Sequence, residues 1–301
     1  MKHIPWPVMV AEFAGWGILF VIPFYVLLWD VSFETTMMLC AGWSFWAWIH
    51  FIAPRLLMIR HISLPKIGKH SLKIALISDL HAGPFKGERF FKRIVKRINE
   101  QKPDIVLIPG DFLLGTAEKF AYKLEPLKNI EASVFFTLGN HDHWLHLPGG
   151  REAGSELLRK TLQGFGLQEL NNDSIEWRPG LWIAGIDDNY HGFDDLKKAL
   201  KKVPVVEEAI LLAHSPDIVD KFEKIPGLTV CGHTHGGQMA IPWLIRSIPE
   251  AMFNIARSEF VCGWFPHERM FVTMGVGESA SRARWWVCPE IAILDCTEEK
   301  S

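Results

Sequence analysis

The sequence predicts a layered α/β domain with its strands covered on both faces, preceded by a hydrophobic helical hairpin. Two observations carry the domain: short β-rich apolar runs end directly in polar clusters, and helical patterns separate those runs. A third carries the hairpin. Residues 8–28 (VMVAEFAGWGILFVIPFYVLL) and 31–53 (VSFETTMMLCAGWSFWAWIHFIA) are two apolar stretches, and about 20 such residues suffice for one membrane span.

The turn between these stretches holds Trp29 and Asp30, and their ionisable residues Glu12, Glu34 and His50 lie near the ends, where headgroups are within reach. A cleaved leader fits residues 1–28 poorly: a single Lys precedes the apolar run, and the second run begins before any small-residue cleavage site. Lys2 precedes the hairpin, whereas Arg55, Arg60, Lys66 and Lys69 follow it. Basic flanks stay on the cytoplasmic side, so the domain is expected there. The expected organisation is a transmembrane helical hairpin (1–54), a basic juxtamembrane linker with Pro65 and Gly68 (55–70), and a catalytic domain (71–301).

The chain of 301 residues has a formal charge of −2. Residues 1–69 hold five basic and three acidic residues, which leaves −4 on residues 70–301. That balance argues against a nucleic-acid partner, whose phosphates call for a strongly basic surface. Five cysteines without paired spacing read as reduced, packed thiols, Cys231 among them at a strand end.

The first predicted strand is LKIALIS (72–78), ending in Asp79 and His81, whose i, i+2 spacing points both to one side. A helix at about 88–100 follows, with Phe90, Phe91, Ile94, Val95 and Ile98 on its apolar face. IVLIPG (105–110) delivers Asp111. After a helix near 117–129, SVFFTLG (133–139) delivers Asn140, His141, Asp142 and His143. A helix near 150–165 precedes strands at 181–186, 209–213, 228–231, 270–274 and 291–295. His214 follows the second of these strands; His233 and His235 follow the third. Strand ends are where α/β sheets build ligand sites, and core packing does not explain five of them carrying carboxylate, amide and imidazole groups. Trp144 is a candidate for the substrate mouth, His143 and His146 read as supporting or solvent residues, and 239–268 has no clear pattern.

Mixed carboxylate and imidazole donors suit Mn, Fe or Zn better than Mg. Two neighbouring cations need a shared carboxylate between them, and Asp111 is the choice for it. The ordered pieces DLH, GD, GNHD, a lone His and GHTH resemble the calcineurin-like metallophosphoesterase superfamily over roughly residues 72–296. That resemblance implies a β-sandwich flanked by helices and a binuclear metal-dependent phosphoesterase with two divalent ions, Mn favoured. It implies Asp79, His81, His235 and Asp111 around one ion, and Asn140, His214, His233 and Asp111 around the other. His141 would act on phosphate oxygens and the leaving group, with Asp142 orienting it.

AGIDD (184–188), AHSPD (213–217), CGHTHGGQ (231–238) and GVGESASRARWWVCPEI (275–291) look like a membrane-linked bacterial branch that includes UDP-2,3-diacylglucosamine pyrophosphatases. The branch implies a phosphorylated or nucleotide-linked lipid substrate of lipid A biosynthesis and a place in the cell inner membrane. Arg282 or Arg284 would face its diphosphate, and apolar residues in 144–167 or 239–268 its acyl chains. A broader membrane-associated phosphodiesterase or phosphatase is the alternative.

Overall fold

The computed structural model describes residues 17–18, 20–143, 151–238, 259–279 and 282–298. Lys2, Glu12, most of the front half of the first apolar run, Trp144, His146 and the segment 239–258 lie outside the described residues. The described part of the first run is helical at 20–28, and Ser32 caps the next helix, Phe33–Ala47, by accepting from Thr35 N at 3.3 Å. A π-helical turn (Trp48–Ile52) and a short 3-10 turn (Ala53–Arg55) extend it, giving a 23-residue stretch, Phe33–Arg55, long and apolar enough to cross a membrane.

Twelve strands among the described residues form two sheets. The first, in the order β1 (Met58–Pro65), β12 (Glu290–Glu298), β2 (Leu72–Leu76), β3 (Ile105–Pro109), β4 (Ser133–Thr137) and β5 (Gln168–Glu169), runs parallel from β2 to β5. In the second, the order is β10 (Gly263–Phe265), β11 (Met270–Val272), β9 (Leu228–Cys231), β8 (Ile210–Leu212), β7 (Leu181–Gly185) and β6 (Asp173–Arg178); β7, β8, β9 and β11 are parallel.

The strand period of two explains the layering. Ile74, Leu76, Ile105, Leu107 and Phe135 point to one side and pack against Ile183, Ile210, Leu212, Val230 and Phe271 of the other sheet. Their neighbours Ala75, Val106, Ile108, Val134 and Phe136 face the opposite way, toward helical residues Phe91, Ile94, Ile98, Leu158 and Leu162. Leu211 and Met270 likewise turn outward, to Ala199 and Ile218. The fold is therefore two facing sheets, each with a helical outer layer. Helix Glu88–Gln101 buries Phe91, Ile94, Val95 and Ile98, the i, i+3, i+4, i+7 stripe read from the sequence. Each contributes roughly 1.5–3 kcal/mol by burial.

Three expectations change. The segment 55–70, expected as a linker, contains β1, which pairs in parallel with β12 from Met58↔Glu290 onward. Arg60, His61 and Ser63 had masked it by making the run polar. The single helix expected near 117–129 divides at Phe120 (φ −128°) into Ala117–Phe120 and a 3-10 stretch, Ala121–Asn129, where Pro126 offers no N–H to an α-helical ladder. β6 was also not expected. It forms a hairpin with β7 at the end of its sheet, where polar residues are tolerated, and the turn is Pro179–Gly180.

Candidate metal centre

Parallel strands bring their C-terminal ends to one edge, and the polar clusters leave from that edge. There the backbone turns through an unusual region: Asp79 (φ 52°), His81 (φ 45°), Asp111 (φ 57°), His233 (φ 71°) and His235 (φ 51°) are all left-handed. Side-chain-bearing residues rarely adopt it, and a concentration of such residues marks strain that the surrounding structure holds in place. Cross-strand bonds do the holding: Asp79 N donates to Gly110 O and His81 N to Asp111 O, both at 3.1 Å, and Gly232 N donates to His214 O at 2.9 Å.

All seven predicted metal-ligating residues come together. His81 Nε2 and His235 Nε2 face each other at 3.1 Å, and Asp79 Oδ1 is 3.5 Å from His235 Nε2. On the other side, Asn140 Oδ1 is 3.0 Å from both His214 Nε2 and His233 Nδ1, which are themselves 3.2 Å apart. Asp111 lies between the two groups, its Oδ2 3.6 Å from His81 Nε2 and 3.3 Å from His214 Nε2. The far nitrogens of two imidazoles are fixed by backbone carbonyls, His214 Nδ1 donating to Pro109 O at 2.8 Å and His81 Nδ1 approaching Leu113 O at 3.4 Å. That arrangement leaves each Nε2 aimed inward, the orientation a ligating imidazole needs.

The electrostatics agree. Burial, aided by the neighbouring His141, pushes His81 down to about 3; burial beside His214 pushes His233 down to about 3. His235 is also driven well below its ordinary value, first by burial and then by His81. These three imidazoles are neutral at pH 7, so each keeps one ring nitrogen with a free lone pair. Burial would depress His214 too, but the charge and hydrogen bond of Asp111 hold it up at about 10. Asp111 falls well below the usual carboxylate range, because His214 and His141 outweigh its burial. Buried imidazole, amide and carboxylate donors converging around a shared carboxylate fit divalent cations.

His141 is half-buried, its ring edge-on to His81 with centroids 4.8 Å apart, and its backbone N–H donates to Asp111 Oδ1 at 2.9 Å. Asp142, expected to orient the His141 ring, uses its carboxylate on backbone amides instead. Oδ1 accepts from Phe112 N at 2.9 Å and Leu113 N at 3.2 Å, and Oδ2 from Gly139 N at 3.0 Å. It thus ties the loop carrying Asp111 to the turn carrying His141.

Gly232 shows how tightly this edge is packed. A Cβ there would lie 1.9 Å from Ser78 Oγ and 2.6 Å from Asp79 Oδ2. Gly232→Ala is therefore expected to lower stability by about 1–3 kcal/mol and to weaken metal retention, which a thermal melt and metal analysis of the purified variant would measure.

One contributor was not read from the sequence. The half-exposed Tyr190 ring lies 4.9 Å from the His233 ring, at the rim. It sits in a turn where Asp187 and Asp188 drew the attention: Asp187 Oδ1 pairs with the buried His143 at 2.6 Å and Asp188 Oδ2 with His191 at 2.6 Å. Arg284, expected to face the substrate, is fully buried. Its Nη2 lies 3.5 Å from His235 Nδ1 and donates to Met274 O at 3.1 Å and to Gly277 O, so its fork is spent on the protein itself.

Comparison with known proteins points the same way. A family model for calcineurin-like phosphoesterases matches residues 72–237, a stretch that holds every clustered residue above. Curated relatives include the UDP-2,3-diacylglucosamine pyrophosphatase LpxG of Chlamydia muridarum (strain MoPn / Nigg), 27% identical over 308 residues that cover 84% of this chain and 93% of the relative. The phosphodiesterase YaeI of Escherichia coli (strain K12) is 29% identical over 277 residues, covering 87% of this chain and 96% of that protein. A transmembrane protein with a metallophosphoesterase domain from Danio rerio is 31% identical over 229 residues, 69% of this chain and 49% of the relative.

Proposed function

The chain belongs to the calcineurin-like phosphoesterase family and is a hydrolase of phosphoesters; from that premise we propose that it cleaves a nucleotide-linked lipid at a membrane surface, UDP-2,3-diacylglucosamine. The products would be UMP and 2,3-diacylglucosamine 1-phosphate. One observation carries the reading: the apolar helix docks directly beside the centre. Arg284 N donates to Ile49 O at 2.9 Å, and the same arginine approaches His235 Nδ1 at 3.5 Å. Two contacts therefore connect the membrane-length helix to the reactive edge, which suits a substrate whose acyl chains stay in the bilayer. Similarity along nearly the full length of the Chlamydia muridarum pyrophosphatase supports that substrate.

In this reading Asp79, His81 and His235 hold one divalent cation, Asn140, His214 and His233 hold the other, and Asp111 is shared. The cations, with Mn favoured, would supply Lewis acidity, acidifying a water and neutralising charge on the phosphoryl oxygens. His141 faces the space between the clusters and acts on the departing oxygen or the developing charge. Asp142, through Phe112, Leu113 and Gly139, fixes the spacing of Asp111 and His141. Water oxygen bonds to one phosphorus, the bridging P–O bond breaks, and each product leaves with one phosphate. The basic residues at and beyond the end of the apolar helix, Arg55 and Arg60, favour the cytoplasmic side of the inner membrane for the domain.

The test is product analysis by phosphorus NMR, using detergent-solubilised full-length protein, added Mn and UDP-2,3-diacylglucosamine. UMP together with the acylated sugar phosphate is the expected result. If the same preparation hydrolyses bis(p-nitrophenyl) phosphate but leaves this lipid intact, the substrate is wrong. A different lipid or envelope phosphodiester then takes its place, in keeping with the similarity to the Escherichia coli phosphodiesterase.

A further inference from the structure

Where the apolar helix ends, basic residues line a cavity that includes none of the metal-centre residues. A cavity of about 190 Å³ is lined by Arg55, Lys86, Arg89, Arg93 and Arg282, with Glu278 as the one acidic lining residue. Three chain segments build it. Pro54 and Arg55 close the membrane-length helix, Lys86 precedes helix Glu88–Gln101 and Arg89 and Arg93 lie in its first turns, and Glu278 and Arg282 come from the loop before β12.

The walls are fixed. Lys86 is buried, donates to Pro54 O at 2.6 Å, pairs with Glu278 at 2.8 Å and sits 3.8 Å over the Phe90 ring. Arg93 Nη2 donates to Arg55 O at 3.2 Å, and the Arg282 guanidinium stacks 4.8 Å over Phe85. Since Glu278 is already engaged by Lys86, the lining has a strong excess of positive charge, most of it guanidinium. Planar guanidinium forks match phosphate oxygens two at a time.

Position decides which phosphate. Arg55 is the last residue of the apolar stretch, so the cavity lies at the depth where hydrocarbon gives way to headgroups. Trp286 is 73% exposed, and the adjacent Trp285 packs edge-on against Phe45 of the apolar helix at 5.4 Å. An exposed indole on a loop held against a membrane-length helix is the arrangement of an interfacial aromatic anchor. We propose that this cavity binds the phosphate of an anionic bilayer lipid, seating the domain against the headgroup layer. The cavity shares no lining residue with the metal centre, and the inference holds whatever the enzyme's substrate is.

Full-length, metal-loaded protein in neutral detergent, titrated with dioctanoyl phosphatidic acid and followed by native mass spectrometry, tests it. Arg89→Gln/Arg93→Gln is expected to weaken binding about tenfold or more, since each basic residue near a lipid surface is worth about 1 kcal/mol. The control is Lys92→Gln/Lys96→Gln, which removes the same charge from the same helix. Those lysines pair instead with Glu88 and Glu100, and binding there should stay within about twofold. Equal losses in both double variants would mean diffuse attraction and overturn the cavity. Inorganic phosphate that binds as tightly as the lipid, with the same dependence on Arg89 and Arg93, would make it a soluble-anion site and overturn the headgroup assignment. Circular dichroism melts of both double variants should match the parent, so that a loss is not unfolding.

Discussion

Asp111→Asn is expected to lower kcat/KM for any phosphodiester by about 10³-fold or more and to strip the protein of at least one of two metal ions. The reasoning is geometric. Asp111 Oδ2 alone approaches both imidazole groups, at 3.6 Å from His81 Nε2 and 3.3 Å from His214 Nε2. Asn preserves the shape, and its carbonyl can still accept from His141 N, as Asp111 Oδ1 does at 2.9 Å. It removes the charge, however. His214, held at about 10 largely by that carboxylate, would drop toward the value burial imposes, and two cations would face one another without a shared anion. Metal content after dialysis, turnover of bis(p-nitrophenyl) phosphate and a thermal melt would be measured together. A folded variant retaining two ions and full turnover would remove Asp111 from the bridging position.

The site was legible in the sequence to an unusual degree because strand ends announce themselves. An apolar run that stops in Asp, His or Gly-Asn-His can be read without knowing the pairing of the strands, and parallel pairing then brings every such end to one edge. Asp79, Asp111 and His214 are far apart in sequence, yet they converge because β2, β3 and β8 point the same way within their sheets. Core strands were equally clear, since Ile105, Val106, Leu107 and Ile108 are buried on both faces and read as a continuous apolar run.

What escaped was whatever depended on a long-range partner. β1 alternates polar residues with half-buried ones and becomes a strand only through pairing with β12, more than 200 residues later. Arg284 looked like a substrate-facing cation because an arginine in a Gly-rich loop is usually exposed. Only the fold reveals that Ile49 O takes its backbone N–H, and that the carbonyls of Met274, Gly277 and Val287 take its fork. Asp142 was assigned to the His141 ring on the family resemblance, whereas the short helical turn Asn140–His143 directs its carboxylate to the amides of Phe112 and Leu113. Tyr190 belongs in the same class, since its tilted ring contact with His233 leaves no spacing signal.

His141→Ala should separate chemistry from metal binding. Both ions are expected to remain, because the ring is edge-on to His81 and the residue's bond to Asp111 is made by its backbone N–H, which alanine keeps. Turnover should fall by about 10²- to 10³-fold, the range for loss of a positioned proton donor or charge-stabilising imidazole. The leaving group then distinguishes the two jobs. If His141 protonates the departing oxygen, the loss should shrink sharply for a p-nitrophenyl ester, whose phenolate departs without help, and stay large for an alkyl ester. If the imidazolium stabilises charge on the phosphoryl oxygens, the loss should be similar for both, since that charge forms whichever group leaves. A variant that loses its metal ions along with activity would assign His141 to the ligand shell, in line with the way its side chain groups with His81 and Asp111.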